Sequence, residues 1–166
     1  MMKEFFAKPA VGAIIERLID GQKHILVQQR NKNGGGIENG MLEIPAGKVR
    51  EYENIFDTLR REVMEETGLN VASVNGESSA VVSDMSGYKT MSFTPFCSTQ
   101  NMSGGYSIML NTFICTAEGE PVAMTDESTD IRWMPLEKIG DMLLNSPESF
   151  YPMHINAIYK YLEQNR

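Results

Sequence analysis

Two periodicities of apolar and polar positions run along the chain, and they predict both strands and helices. Segments rich in β-branched and aromatic residues predict strands at residues 11–18, 24–29, 71–83, 89–97 and 108–117. Asp20 and Gly21 lie between the first two segments and predict a tight hairpin turn there.

Residues 54–67 show the period of an amphipathic helix. The segment contains no Gly or Pro, and its apolar side chains recur at helical intervals, at Ile55, Phe56, Leu59 and Val63. Asn54 is a favourable N-cap residue, because its side chain can accept a hydrogen bond from an N–H of the first turn. Gly68 stands where a left-handed residue would end the helix.

Three glutamates cluster at the C-terminal end of this helix. At about 100° per residue, Glu62 and Glu66 fall on its apolar side, and Glu65 falls to one side of them. A helix C-terminus already carries partial negative charge, so unpaired carboxylates there are unfavourable. A divalent cation such as Mg²⁺ relieves this conflict, because it prefers clustered carboxylate oxygens. The alternative is a solvated acidic face paired with Arg60 and Arg61.

Around the helix the chain carries the spacing G-x5-E-x7-R-E-U-x-E-E-x-G-U, in which U is aliphatic, from Gly47 to Leu69. The pattern resembles the Nudix box of hydrolases that cleave nucleoside diphosphates linked to another group. The resemblance implies an α/β fold, a Nudix-type α/β/α sandwich with a central mixed sheet between the box helix and the C-terminal helix. It also implies that water attacks a diphosphate with the help of Mg²⁺, which releases a nucleoside monophosphate and a phosphorylated remainder.

The resemblance also assigns roles within the box. The expected ligands of Mg²⁺, or of Mn²⁺ in its place, are Gly47, Glu62, Glu65 and Glu66. Gly47 would form the turn into the loop before the helix and lend its carbonyl to the metal. Arg61 would orient a neighbouring carboxylate through its bidentate fork. Glu53, at the other end of the helix, is interpreted as structural or as a support for the metal ligands.

Two places can supply the base that activates the water. Glu62 is the candidate within the box. Some family members draw the base from a later loop, and here Glu127 is the candidate of that kind; otherwise it is a solvated loop acid. Residues 131–136 follow this loop and resemble the family's late strand and the turn into a helix.

Residues outside the box are expected to contact the substrate. Residues 40–47 resemble the strand and turn that lead into the box, and Glu43 either assists at the site or is an acid at a strand edge. Arg30 ends the second strand and either reaches the substrate phosphates or faces solvent. Tyr106 lies in a polar loop over residues 98–106 and either stacks on a nucleobase or belongs to an ordinary connection.

The segment Pro45-Ala46-Gly47 bears on the substrate. By resemblance it favours ADP-ribose or another nucleotide sugar, and a nucleoside triphosphate pyrophosphohydrolase is the alternative. Residues 31–39 form a Gly-rich loop without the Gly-Lys-Ser/Thr of a P-loop, and we interpret it as a mobile rim of the cleft.

A closing helix is expected over residues 149–166, with Tyr151 and Pro152 at its start. Its buried stripe is predicted to be Ile155, Ile158, Tyr159 and Leu162. His154 on the first turn is expected to be structural or on the surface, and so is His24.

Composition restricts the partners. The net charge of −7 argues against a broad basic surface for nucleic acid, whereas a bound metal can attract a small phosphate substrate locally. Cys97 and Cys115 are isolated, so a reducing cytoplasm is expected. No apolar run reaches membrane-spanning length. A chain of 166 residues predicts one domain over residues 1–166, as a monomer or a homodimer.

Two other classes share the implied fold. A diphosphate isomerase would carry a degraded box and a cysteine beside a metal, for which Cys97 is the candidate. A non-catalytic nucleotide sensor would lack box carboxylates or carry an appended DNA-binding domain. The complete box favours the hydrolase.

Overall fold

The computed structural model describes residues 4–31 and 37–165, which form a β-sheet between two helical layers. The strands are β1 (Lys8–Ile19), β2 (Gln22–Arg30), β3 (Leu42–Glu43), β4 (Ala46–Lys48), β5 (Asn70–Val74), β6 (Val81–Met85), β7 (Tyr88–Ser92), β8 (Cys97–Gln100), β9 (Ile108–Glu118) and β10 (Ser128–Pro135). The helices are α1 (Ile55–Thr67), α2 (Leu136–Asn145) and α3 (Pro152–Gln164), with short 3₁₀ turns at Glu77–Ser79 and Pro147–Ser149.

The main sheet is mixed, as expected. Its strands follow the order β10-β2-β1-β9-β5, while β3 pairs with β2, β4 with β1 and β8 with β9. The long central strands β1 and β9 are parallel, and the other pairs are antiparallel. The predicted hairpin turn joins β1 to β2, with Asp20 and Gly21 at φ 50° and 78°.

Alternate residues of β1 point into two separate cores. Ala13 and Ile15 pack on the side of α1, in a core that includes Leu59 and Val63. Ile14 packs on the opposite side, in a core that includes residues of α2 and α3. Because side chains alternate across a strand, one strand can serve both layers. The expected α/β/α sandwich is confirmed.

Helix α1 begins and ends where its sequence predicts. The Asn54 side chain accepts a hydrogen bond from Phe56 N at 2.8 Å. Gly68 adopts a left-handed φ of 75°, and its N–H donates to the carbonyl of Met64 at 2.9 Å. Local capping chemistry therefore determines both ends of the helix.

Two of the predicted strands are wrong as continuous elements. Residues 71–83 divide into β5 and β6, because Gly76 turns the chain at φ 86° into the Glu77–Ser79 turn. Residues 89–97 divide into β7 and β8, with Pro95 in the break, where a residue without an N–H cannot continue a ladder. The loop predicted over residues 98–106 loses its first three residues to β8.

Strands β6 and β7 form a two-stranded hairpin of their own, outside the main sheet. Ser86 and Gly87 turn the chain at φ 54° and 80°. Val82 and Met85 of the hairpin are 56% and 73% exposed, so its outer part is not covered by the described residues.

The predicted stripe of α3 is partly wrong. The side chains that α3 buries are Met153, His154, Ala157, Ile158 and Tyr161. Of the predicted set, Ile158 is buried but Tyr159 is 37% exposed. The helix is therefore rotated toward Tyr161, whose hydroxyl donates to Glu16 Oε2 at 2.6 Å.

Residues 131–136 lie mostly in β10, which begins earlier, at Ser128. Of the expected cleft rim over residues 31–39, residues 32–36 lie outside the described residues. Among the described helices, none is both long and apolar enough to cross a membrane.

Gly68→Ala should destabilise the protein by about 1–3 kcal/mol, because a left-handed backbone is strained for a residue with a β-carbon. That β-carbon would also approach Val122 Cγ1 to 2.9 Å. The matched control is Gly140→Ala within α2, where a β-carbon meets nothing within 4 Å. The control should stabilise by about 0.5–1 kcal/mol, since Ala favours helix interiors over Gly. Urea unfolding of the three proteins checks both signs, and equal midpoints for the two variants would contradict the account of the helix end.

Candidate active site

A cavity of about 370 Å³ opens between β4, the second half of α1, the start of β9 and the start of α3. Its charged lining residues are Arg30, Lys48, Arg50, Arg61, Glu62, Glu65 and Glu127. Its aromatic and apolar lining includes Ala10, Tyr106, Ile108, Leu110, Tyr151 and Met153. One cavity thus combines acidic side chains, basic side chains and apolar surface.

A second cavity of about 390 Å³ adjoins the acidic end of the first. It is lined by Glu62, Glu65, Glu66, Thr125, Asp126 and Glu127. The predicted box carboxylates and the predicted loop acid Glu127 therefore come together, although more than sixty positions separate them in the chain.

Gly47 lies in β4 opposite Val11, rather than in a turn, so the expected turn at this residue is wrong. A β-carbon built on Gly47 would lie 1.8 Å from Cδ of Glu62. Only a residue without a side chain lets the backbone of β4 approach the Glu62 carboxylate this closely. The glycine of the box is required for this contact.

Arg61 holds three carboxylates at once. Its Nε and Nη2 donate to Glu53 at 2.8 and 2.9 Å, and Nη1 donates to Glu62 at 2.6 Å and to Glu65 at 3.2 Å. The hydrogen bond from Arg61 lowers the pKa of Glu53 to about 2. Glu53 lines neither cavity, and its position fits the structural interpretation.

Glu66 is buried, with 6% of its surface exposed. Its Oε2 accepts hydrogen bonds from Gln28 Nε2 at 2.8 Å and from the backbone N–H of Ala46 at 3.0 Å. Burial raises the pKa of Glu66 to about 8, and the nearby Glu43 carboxylate contributes in the same direction. Burial also raises the pKa of Glu62, although Arg61 opposes this shift. Negative charge at these two residues needs a compensating positive charge.

Arg30 lies against the cavity rather than in solvent, and its side chain is only 11% exposed. Its Nη1 donates to Glu43 Oε2 at 2.9 Å, and its guanidinium lies 4.5 Å from the centre of the Tyr151 ring. The solvent-facing alternative for Arg30 is therefore wrong. Glu43 lies on the short edge strand β3 but is 4% exposed, so the edge does not expose it.

His154 is buried and forms part of the cavity wall. Its Nδ1 accepts a hydrogen bond from the backbone N–H of Ile44 at 3.2 Å. Burial lowers the pKa of His154 to about 3, and the Arg30 charge adds to the effect. The imidazole is thus neutral and fixed by the backbone, so a surface position is excluded. His24, by contrast, lies outside both cavities.

Two predicted residues reach the site from loops. Tyr106 is 55% exposed at the rim, and Lys48 Nζ lies 5.6 Å from its ring centre. Glu127 is exposed and lines both cavities, and its carbonyl accepts a hydrogen bond from Asn31 N at 2.8 Å.

Cys97 lines neither cavity and instead packs at the core of α2 and α3.

Sequence reasoning did not find Gln28, Tyr151 or the wall position of His154. Gln28 had a signal, since it follows the apolar run Ile25, Leu26 and Val27 at the end of a strand. The contacts of Tyr151 and His154 depend on how α3 packs against β3, and no local pattern reports this packing.

The donor set fits a hard divalent cation. The second cavity is lined by carboxylates and one threonine, and such oxygen ligands suit Mg²⁺ or Mn²⁺. Within the described ranges, no three acidic, histidine or cysteine side chains already converge as a ligand group. The reason is visible in the contacts, because Arg61 holds Glu62 and Glu65 while Gln28 and Ala46 hold Glu66. A cation would compete with Arg61 for the first two carboxylates.

A family model of the NUDIX domain matches residues 8–154. This match covers most of the chain, and the chain therefore belongs to the NUDIX family. The complete box, the mixed sheet and the acidic end of α1 agree with this assignment.

Solved structures are similar in fold. The NUDIX domain of NrtR from Shewanella oneidensis, complexed with ADP ribose, has a TM-score of 0.69 at 15% identity, over 98% of this chain and 91% of that one. The MutT protein of Methanosarcina mazei Go1 has a TM-score of 0.60 at 19% identity, over 99% of each chain. The Ap4A hydrolase of C. elegans has a TM-score of 0.56 at 14% identity, over 96% of this chain and 98% of that one.

One curated relative has a shorter match. The 8-oxo-dGTP diphosphatase of Buchnera aphidicola subsp. Acyrthosiphon pisum (strain APS) is 42% identical over 41 residues, or 25% of this chain. The match spans 33% of that protein's length.

Gly47→Ala should displace the Glu62 carboxylate. If Glu62 is a cation ligand, as the sequence predicts, Mn²⁺ binding should weaken by at least about tenfold, as is typical when the support of a metal ligand is disturbed. Titration of Mn²⁺ in the absence of substrate measures the affinity, and circular dichroism checks that the variant folds. Gly140→Ala is the control and should bind Mn²⁺ like the wild type. An unchanged Mn²⁺ affinity in folded Gly47→Ala would show that the close approach of β4 to Glu62 is not needed for cation binding.

Glu53→Gln should destabilise the protein by about 0.5–1 kcal/mol near pH 7, because Arg61 loses a charged partner. The pKa of Glu53 falls from 4.5 to about 2 on folding, so its stabilising effect is complete above pH 4.5 and disappears as the pH falls toward 2. The cost of the substitution should shrink over the same range. Urea unfolding at a series of pH values measures it, with the exposed Glu163→Gln as the control. A cost that stays constant down to pH 2 would contradict the pairing.

Proposed function

We propose that this protein hydrolyses the diphosphate linkage of a nucleoside diphosphate derivative in the presence of Mg²⁺, with ADP-ribose or a nucleotide sugar favoured. One observation carries the proposal: the carboxylates of α1 open onto the same cavity as Arg30, Lys48 and two tyrosines. The acidic end suits cations, the basic side chains suit phosphates, and the aromatic wall suits a nucleobase.

Glu62, Glu65 and Glu66 are the proposed ligands of Mg²⁺ or Mn²⁺, with the Gly47 carbonyl as a further candidate. When bound, the cation polarises phosphoryl oxygens and makes water a better nucleophile. Arg61 positions Glu62 and Glu65 before the cation arrives, since it bonds to both.

Glu127 is the proposed general base. Glu127 is exposed and lines both cavities, so solvent water reaches it beside the carboxylates of α1. Glu127 would accept a proton from water as the water oxygen bonds to phosphorus. The bridging oxygen would leave with the other phosphate, giving a nucleoside monophosphate and a phosphorylated remainder.

The substrate end of the cavity supports a nucleotide ligand. Tyr106 and Tyr151 both line this end of the cavity, where a nucleobase could contact them, and Arg30 is held against Tyr151 near the place where phosphates would lie. The preference for ADP-ribose follows the segment Pro45-Ala46-Gly47, and a structural neighbour, NrtR, was solved with ADP ribose.

A nucleoside triphosphate pyrophosphohydrolase is the second candidate. The local identity with an 8-oxo-dGTP diphosphatase supports it. An isomerase that uses Cys97 is disfavoured, because Cys97 lies at the other core, and a sensor is disfavoured by the complete set of box carboxylates.

We further propose a single domain over residues 1–166, as a monomer or homodimer in the cytoplasm. The two cores share one sheet, which supports one domain, and both cysteines are free, which fits a reducing compartment.

Glu65→Gln and Glu66→Gln should each lower Mg²⁺-dependent hydrolysis by more than about 100-fold, since even outer-sphere partners of a metal are worth about 10- to 100-fold. The measurement is release of monophosphate or phosphate from a panel of ADP-ribose, nucleotide sugars, dinucleoside polyphosphates and nucleoside triphosphates.

The matched control for this panel is Glu163→Gln on α3, which should leave the rate unchanged. Loss of activity on one class in both box variants, but not in the control, would identify the substrate group. Hydrolysis of triphosphates alone would select the second candidate. No Mg²⁺-dependent hydrolysis of any compound by folded wild-type protein would refute the proposed function.

A further inference from the structure

We infer that Gln28 is a positioning residue that orients Glu66 as a cation ligand without neutralising its charge. The inference rests on the proposed function, because it concerns the same cation site. Gln28 lies outside the Nudix box and reaches Glu66 from a different element, since it belongs to β2.

The contact between the two side chains is buried and short. Gln28 is 0% exposed, and its Nε2 donates to Glu66 Oε2 at 2.8 Å. The backbone N–H of Ala46 donates to the same oxygen at 3.0 Å. Both of these donors therefore hold Oε2, and the rotation of the carboxylate is determined by two elements, β2 and β4. Oε1 is the oxygen that remains for a cation.

The side chain of Gln28 is neutral, and this distinguishes its contact with Glu66 from an ion pair. Gln28 and Arg30 are two residues apart on β2, so their side chains share one face of the strand. Arg30 pairs with the buried acid Glu43. A cationic side chain at residue 28 would pair with Glu66 in the same way and would compete with a metal. An amide fixes the carboxylate and leaves its charge available.

A packing role alone does not account for this glutamine. Its Oε1 is buried and finds no hydrogen-bond partner among the described residues. An unpaired buried acceptor costs free energy, which an apolar residue of the same shape would avoid. We attribute the presence of the glutamine to its donor atom, because the hydrogen bond from Nε2 to Glu66 offsets this cost.

Gln28→Met tests the inference, because methionine keeps the length of the side chain and removes both polar atoms. Mn²⁺ affinity is measured without substrate, by electron paramagnetic resonance of the free ion. We expect a loss of about 10- to 100-fold, the usual effect of removing a partner of a metal ligand. Gln29→Met is the matched control, since Gln29 is half-buried on the opposite face of β2, and it should bind Mn²⁺ like the wild type.

Double variants separate positioning from a general structural effect. In a Glu66→Gln background, Gln28→Met should cause no further loss of Mn²⁺ affinity, because it acts through Glu66. In a Glu65→Gln background, the full loss should remain. Equal further losses in both backgrounds, or none in the single variant, would overturn the inference.

Two remaining outcomes are also decisive. If folded wild-type protein bound no Mn²⁺, both this inference and the proposed cation site would fail. If the wild type bound Mn²⁺ and Gln28→Met bound it equally, only the inference would fail. Should Gln28→Met not fold, Gln28→Asn gives the same comparison, because it keeps the amide but shortens its reach, and it should weaken Mn²⁺ binding.

Discussion

The negative charge of the glutamates at the C-terminal end of α1 is the constraint on which the rest of the site depends. The helical period places Glu62 and Glu66 on the inward face of α1. Both residues also lie near its C-terminal end, where the helix dipole already disfavours anions. Contacts with three other residues accommodate these carboxylates. Arg61 supplies one positive charge to several carboxylates, Gln28 supplies a neutral donor, and Gly47 removes the side chain that would otherwise fill the space beside Glu62. Only part of the charge is compensated, and a divalent cation would complete the compensation.

The substrate side of the cavity depends on contacts between distant parts of the chain. Arg30 comes from β2, Glu43 from β3 and Tyr151 from the residue before α3, yet they form one packed group. The start of α3 is fixed against β3, since Tyr151 N donates to the Leu42 carbonyl at 2.8 Å. Because Tyr151 lies more than a hundred positions after Arg30 and Glu43, the wall of the cavity forms only when the sandwich has closed.

Local chemistry made part of this structure predictable. The ends of α1 follow from Asn54 and Gly68, and the orientation of its glutamates follows from the helical period. The strand breaks at Gly76 and Pro95 were missed, because composition over a long window outweighed single turn residues. The face that α3 buries and the role of Gln28 could not be predicted, since both depend on which elements pack together. The carboxylates of the site were thus predictable, and the residues that hold them mostly were not.

The β6–β7 hairpin is structurally separate from the main sheet. Its strands pair with each other and not with the main sheet, and its base is attached to the α1 core through Ala80 and Met91. Opening its outer part exposes little new apolar surface, because Val82 and Met85 are already in solvent. The hairpin can therefore exchange its amide hydrogens by local fraying while both cores stay intact, so that its stability is separate from that of the whole domain.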